Sequence, residues 1–233
     1  MITLIQFPPA GGLPNLSPFC LKLETWLRIA GLEYRNRYTP NPGKGPLGKL
    51  PAIELNGKFV PDSNLCIQAL KKQFGVDPNA ALSAEQKATA HAFRILFEDH
   101  LYWTVFYARW FDDRYWPQTR AAFFGSLPPG LNRLVPALVQ RAMRKEIDGH
   151  GMGRYAPEQI YRFACEGLSS IAVFLGDKSY FMGSEPSDID AVAYGFLAQL
   201  TQSALDSPLK APVQQYPNIV AYCERMRARY YPV

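Results

Sequence analysis

Every strand-like run in this 233-residue sequence falls before residue 78, and beyond it the pattern is helical. A chain so divided predicts a mixed α/β first third followed by an all-α remainder. Residues 3–7 read as a first strand, ended by Pro8, Pro9, Gly11 and Gly12. Ser17-Pro18 is a helix start, with serine as N-cap and proline at the first helical position, and Gly31 is its stop. A second strand is expected over 33–38, then a loop over 39–48 that is crowded with glycine and proline. Residues 52–55 and 58–60 flank Asn56-Gly57, the signature of a two-residue hairpin, and Asp62-Ser63 opens a helix that closes at Gly75. The order is βαβ, then ββα. A linker over 76–82 separates an expected domain of residues 1–77 from an all-helical bundle of residues 83–233. In the second, Ser83 and Gln86 form a capping box that launches one long helix through Trp110, and further helices are expected near 131–147, 157–175, 187–204 and 218–229.

Composition narrows the function class. Hydrophobic residues are 48% and charged residues 19% of the chain, which excludes a disordered tail. No run reaches the roughly 20 apolar residues of a membrane span, and the N-terminus lacks a basic leader. Four scattered cysteines offer neither a disulfide scaffold nor zinc spacing, so no metal is expected and the chain reads as a soluble, reduced, cytoplasmic protein. The net charge of +5 is not gathered into a stripe. The basic stretches at 141–145 and 225–229 have helical spacing among apolar residues and read as solvated faces, against nucleic-acid binding. Most of the excess, +4, lies in residues 1–78, where it suits a small anionic ligand.

Three places could carry chemistry. At Ser17-Pro18-Phe19-Cys20, unpaired amides and the helix dipole favour an anion, and the Ser17 hydroxyl could stabilise a thiolate. Lowering a thiol from about 8.5 by two units corresponds to roughly 2.7 kcal/mol. The plainer reading is that Ser17 only caps the helix and Cys20 is a small buried hydrophobe. With serine where a CxxC would have its first cysteine, dithiol cycling is not available. Leu50-Pro51 precedes a strand; a cis bond there would present the Leu50 backbone to a peptide-like ligand, whereas a trans bond would be an ordinary strand entry. Asp62-Ser63 could hold the ammonium and carboxylate of an α-amino acid end, or simply form an N-cap.

The order of these three signals, ahead of an all-α region, resembles the cytosolic glutathione transferase superfamily. Ser17-Pro18-Phe19-Cys20-Leu21-Lys22, Gly48-Lys49-Leu50-Pro51, Asp62-Ser63-Asn64, His100-Leu101-Tyr102-Trp103 and Tyr216-Pro217-Asn218 are similar to its metaxin and failed-axon-connections branch. The resemblance implies a thioredoxin-like domain and a helical domain, in a cytoplasmic homodimer engaged in detoxification. It implies glutathione as co-substrate, with Ser17 directing its hydroxyl at the sulfur and the Phe19 and Cys20 amides nearby. Leu50 and Pro51 would take the cysteinyl backbone, Asp62 and Ser63 the γ-glutamyl end, and Lys49 or Lys44 the glycyl carboxylate. Phe7, Tyr102, Trp103, Phe106, Tyr107 and Trp110 would line the pocket of a small hydrophobic electrophile, although an aromatic stripe at helical spacing also suits a core. Peroxide reduction by glutathione is a related activity, and a non-catalytic interaction module, as in relatives used for assembly, is the alternative. Phe7 in place of tyrosine excludes a tyrosine-type site, and His91, His100 and His150 are expected to be structural.

Overall fold

The computed structural model describes residues 1–232. A four-stranded mixed sheet is built from β1 (Ile2–Gln6), β2 (Tyr34–Tyr38), β3 (Ala52–Leu55) and β4 (Lys58–Pro61), in the order β2-β1-β3-β4. β1 runs parallel to β2, with Ile2 opposite Tyr34, and antiparallel to β3, with Ile5 opposite Ala52. The parallel pair requires a crossover, and α1 (Pro18–Ile29) supplies it. The first strand ends one residue earlier than the apolar run, so Phe7 lies just beyond the sheet. All five residues of β1 are buried, as expected of a strand covered on both faces. In the β3–β4 hairpin both turn residues have positive φ, 52° at Asn56 and 75° at Gly57, as the Asn-Gly pair predicts.

α1 is buried all round: every residue from Cys20 to Leu27 is inaccessible, including Lys22, Glu24 and Thr25. One side faces the sheet and α2 (Ser63–Phe74), where Leu23, Trp26 and Leu27 join Ile2, Leu4, Ile53 and Leu70. The other faces α8 (Asp188–Thr201), its main helical partner. The approach is made at Gly195, where an added Cβ would lie 2.7 Å from the Pro18 carbonyl oxygen and 2.9 Å from the Lys22 nitrogen. Asp188, at the start of α8, fastens the two halves. Its Oδ1 accepts the Trp26 indole N–H at 2.7 Å, and its Oδ2 takes Asn79 at 2.8 Å together with the Lys71 ammonium.

The helical half holds α3 (Ala84–Ile95), α4 (Tyr102–Trp110), α5 (Trp116–Phe124), α6 (Leu131–His150), α7 (Pro157–Leu175), α8, α9 (Lys210–Gln214) and α10 (Pro217–Tyr230). The expected long helix from Ser83 is interrupted by a π-turn over Leu96–Leu101, which buries Phe97 and Leu101 and resets the face that α4 presents. Helices α5 and α9 were not foreseen, because the first has no single apolar face and the second is five residues long. The α8 start forms the expected box: Asp190 Oδ2 accepts the Ser187 N–H at 2.8 Å and its hydroxyl at 3.0 Å. Among the described residues no helix is long and apolar enough to cross a membrane.

Candidate active site

The three sequence signals converge on the first two turns of α1. Ser17 is its N-cap; the hydroxyl oxygen accepts the Cys20 N–H at 3.4 Å. Pro18 has no N–H, and the Leu21 N–H goes to the Ser17 carbonyl, so the Phe19 amide is the first-turn donor that no protein atom takes among the described residues. Ser17 and Phe19 are both half-buried and can be reached from outside. The Ser17 hydroxyl oxygen receives a hydrogen bond and can still donate one; among the described residues no oxygen or nitrogen takes its proton, and the buried Cys20 thiol is the one protein group it favours as an anion.

Cys20 is the inner wall rather than the nucleophile. It is fully buried with Ile5, Leu50, Ala52 and Phe7, and burial pushes its thiol up to about 12 despite the Ser17 hydrogen bond. A thiol so placed is a packing element. The same cluster draws the Leu50-Pro51 segment against α1, and the Leu50–Pro51 bond is cis, as the position before β3 allowed.

The α2 start arrives by a different route. Asp62 carries positive φ (62°) and caps α2, its Oδ1 accepting the Asn64 and Leu65 amides at 2.8 and 3.1 Å. The cap leaves the Asp62 side chain exposed. Ser63 is buried, and its hydroxyl accepts from the Lys22 ammonium at 3.0 Å. Lys22 also donates to Asn64 Oδ1 at 2.6 Å and Glu98 Oε1 at 2.5 Å, while Arg94 and Asn64 reach Glu98 Oε2 at 2.8 and 3.1 Å. Burial depresses the Lys22 ammonium. At Glu98 burial opposes ionisation, but Lys22, Asn64 and Arg94 more than offset it and hold the carboxyl below its ordinary value. This cluster ties α1, α2 and the π-turn beneath the Asp62-Ser63 corner, and sequence reasoning missed it. One signal was present: a lysine inside the apolar run Cys20-Leu21-Lys22-Leu23.

A second polar network, also unforeseen, holds the segment before Ser17. Buried Asn15 gives its side-chain amide to the Phe7 carbonyl (2.7 Å) and to Gln6 Oε1 (3.1 Å), and its Oδ1 accepts the Ser17 N–H at 2.9 Å. Gln6 in turn donates to Glu24 Oε2 at 2.8 Å. From the helical half, Gln199 donates to the Asn15 carbonyl at 3.1 Å and Arg109 to the Leu16 carbonyl at 2.6 Å. Ser17 is therefore positioned from both halves of the molecule.

The aromatic stripe does not act as one wall. Tyr102 lies edge-on to Phe19 (centroids 5.0 Å), which places it beside the α1 start, and meets Trp103 on its own helix at 5.1 Å. Trp103 also stacks on His150 at 4.5 Å. Phe106 is buried with Ile147, Met152 and Ile160, so it belongs to a core. Tyr107 turns to Phe111 and Tyr161, and Trp110 to Trp116 and Phe123, away from Phe19. Phe7 lines the other side against Cys20 and Leu50. Of the two lysines in the loop, Lys49 is exposed and pairs with Glu146 of α6 at 3.2 Å, while Lys44 stands in an exposed 3₁₀ turn. A shallow cavity of about 630 Å³ lies elsewhere, between His100, His150, Arg154 and Phe163. No group of three metal-ligating side chains occurs among the described residues.

Residues 18–115 match the family model for the glutathione S-transferase N-terminal domain, and residues 164–226 match the one for the glutathione S-transferase C-terminal domain. The isoprene-epoxide–glutathione S-transferase of Rhodococcus sp. (strain AD45) is 34% identical over 238 residues, 99% of each chain. Failed axon connections of Drosophila melanogaster is 31% identical over 249 residues; the match takes in all of this chain and 58% of that protein. Metaxin-1 of Macaca fascicularis is 30% identical over 232 residues, 95% of this chain and 72% of that one. Among solved structures, a glutathione transferase of Phanerochaete chrysosporium superposes with a TM-score of 0.68 at 17% identity, over 99% of this chain and 97% of the other, a likeness of fold.

Proposed function

Because the chain belongs to the glutathione S-transferase family, we propose that it binds glutathione along the first two turns of α1 and activates the thiol for attack on an apolar electrophile. The observation that carries this reading is the half-buried Ser17 hydroxyl, which accepts the Cys20 N–H as N-cap and whose proton meets no oxygen or nitrogen acceptor among the described residues, only the buried Cys20 thiol. In the proposed mechanism that proton and the Phe19 amide face the sulfur, so the thiolate is favoured over the thiol by directed donors and the helix dipole. The thiol proton passes to solvent and the thiolate attacks carbon; a C–S bond forms as the bond to the leaving atom breaks, and the leaving atom takes a proton back from solvent. An epoxide fits this scheme, given the 34% identity to an isoprene-epoxide transferase. No covalent bond to the protein is formed, in keeping with a Cys20 thiol pushed up by burial.

The remaining residues bind. Leu50 and Pro51 meet the cysteinyl backbone, and the Asp62 carboxylate, whose Oδ2 is free of the cap, meets the γ-glutamyl ammonium. Ser63 contributes its amide, since its hydroxyl already accepts from Lys22. Lys49 meets the glycyl carboxylate only by leaving Glu146. Phe7, Phe19, Tyr102 and Trp103 form the apolar wall. We test the reading by calorimetry with glutathione and by kcat/KM with an epoxide. Ser17→Ala should lower kcat/KM by roughly 10²–10³-fold, and Asp62→Ala should weaken binding. Unchanged kcat/KM in Ser17→Ala removes the assigned role.

A second reading, a non-catalytic interaction module, is favoured by one observation: Lys49 and one Asp62 oxygen already have protein partners. It gains if the chain neither binds glutathione in calorimetry nor is retained on immobilised glutathione, and a defined protein partner is recovered instead.

A further inference from the structure

Arg109 of α4 is a half-buried cation with no carboxylate against it. Its two terminal nitrogens donate to neutral oxygens, the Leu16 carbonyl at 2.6 Å and Gln199 Oε1 at 2.8 Å. No ion pair involves it among the described residues, whereas the other cations set deep in the fold, Lys22 and Arg28, have Glu98 and Glu24. Burying a guanidinium without a counter-ion is costly, and proteins keep such charges where an anion is to be met. Burial depresses this guanidinium to about 10, which leaves it cationic at neutral pH.

Its location gives the charge a use. The carbonyl it holds belongs to Leu16, the residue before Ser17, and the oxygen it shares with Gln199 extends the hold to the Asn15 carbonyl. Asn15 in turn fixes the Ser17 amide. Two consecutive carbonyls ahead of the α1 start are thus pinned by one guanidinium and the amide it orients. Carbonyl oxygens carry partial negative charge, so turning them toward Arg109 also keeps them from opposing an anion at the helix start.

We propose that Arg109 is a positioning residue for Ser17 and supplies the uncompensated positive charge that makes a thiol bound at the α1 start more acidic. The proposal rests on the reading of that site as the place where the glutathione thiol ionises. It assigns two separable effects: the bidentate hold, which needs a planar fork, and the charge, which a lysine would retain.

The test is a pH titration of bound glutathione, followed by ultraviolet thiolate absorbance, in wild type, Arg109→Lys and Arg109→Met, with glutathione affinity measured in parallel. Arg109→Met is expected to raise the apparent thiol pKa by about one unit, a tenfold loss of thiolate at a fixed pH below it, with affinity held within about twofold. Arg109→Lys is expected to keep most of the acidity while lowering kcat, because the charge stays and the hold is lost. Should Arg109→Met fail to fold, Arg109→Gln carries the test through the same titration: it removes the charge while keeping an amide donor toward the Leu16 carbonyl, and it is expected to raise the thiol pKa, an unmoved value overturning the proposal. A thiol pKa that is depressed in wild type and unmoved in Arg109→Met overturns the proposal and leaves the site assignment standing. Absence of glutathione binding by wild type overturns both.

Discussion

Helices α1 and α8 lie against each other, both begin with serine, and the two serines do opposite things with the same hydroxyl. At α8 the residue three places on is Asp190, and its carboxylate takes both the amide and the hydroxyl proton of Ser187. At α1 the residue three places on is Cys20, which has no carboxylate. There the Ser17 oxygen accepts the Cys20 amide, and no carboxylate takes its proton. An acid at that third position closes a cap upon itself and makes it an element of folding. Its absence leaves a donor at the positive end of a helix.

The sharpest break in this comparison is Asp190→Ala. The Phe181 amide, the Ser187 amide and the Tyr222 hydroxyl would lose a buried acceptor together, for a loss of roughly 4 kcal/mol or more in denaturant unfolding. Ser17→Ala comes next: its roughly 10²–10³-fold effect should fall on kcat/KM, with only about 1 kcal/mol lost from stability. Ser187→Ala should show the converse, about 1 kcal/mol of stability and no change in kcat/KM for the folded enzyme. Equal kinetic effects from the two serine variants would erase the distinction between the caps.

A smaller effect separates the buried carboxyls on either side. Glu98 faces a lysine and its carboxyl lies below the ordinary value of 4.5, so its contribution to stability is present above that pH and lost as pH falls through the lower folded value. Asp190 has only dipolar donors, and burial raises it to about 6 from 3.8, so its contribution is full below 3.8 and lost as pH rises through about 6. Relative to wild type, Glu98→Gln and Asp190→Asn should therefore change the slope of stability against pH in opposite directions, by less than one proton each, between pH 3 and 7.

Local signals made much of this legible in the sequence. Ser17-Pro18, Asn56-Gly57, Ser83 with Gln86 and Ser187 with Asp190 each contain their own partners within a few residues, and each forms the structure its residues predict. The missed parts depend on distant partners. Lys22 meets Glu98 across 76 positions, Arg109 meets Leu16 across 93, and Gln199 meets Asn15 across 184, and nothing in a local window reveals those meetings. The aromatic stripe of α4 misleads for a related reason: helical spacing gives a shared face, while the π-turn before it and the helices around it decide which rings look toward Phe19.

The backbone-to-backbone seat at Gly195 has a consequence for how this scaffold could be retuned. With no side chain between α8 and the α1 start, even one methyl group there would push on the Pro18 carbonyl and tilt the serine beside it. Enlarging or reshaping the cleft for a different electrophile must therefore be sought among Tyr102, Trp103 and the segment after β1, with α8 left as the fixed anvil on which that serine is set.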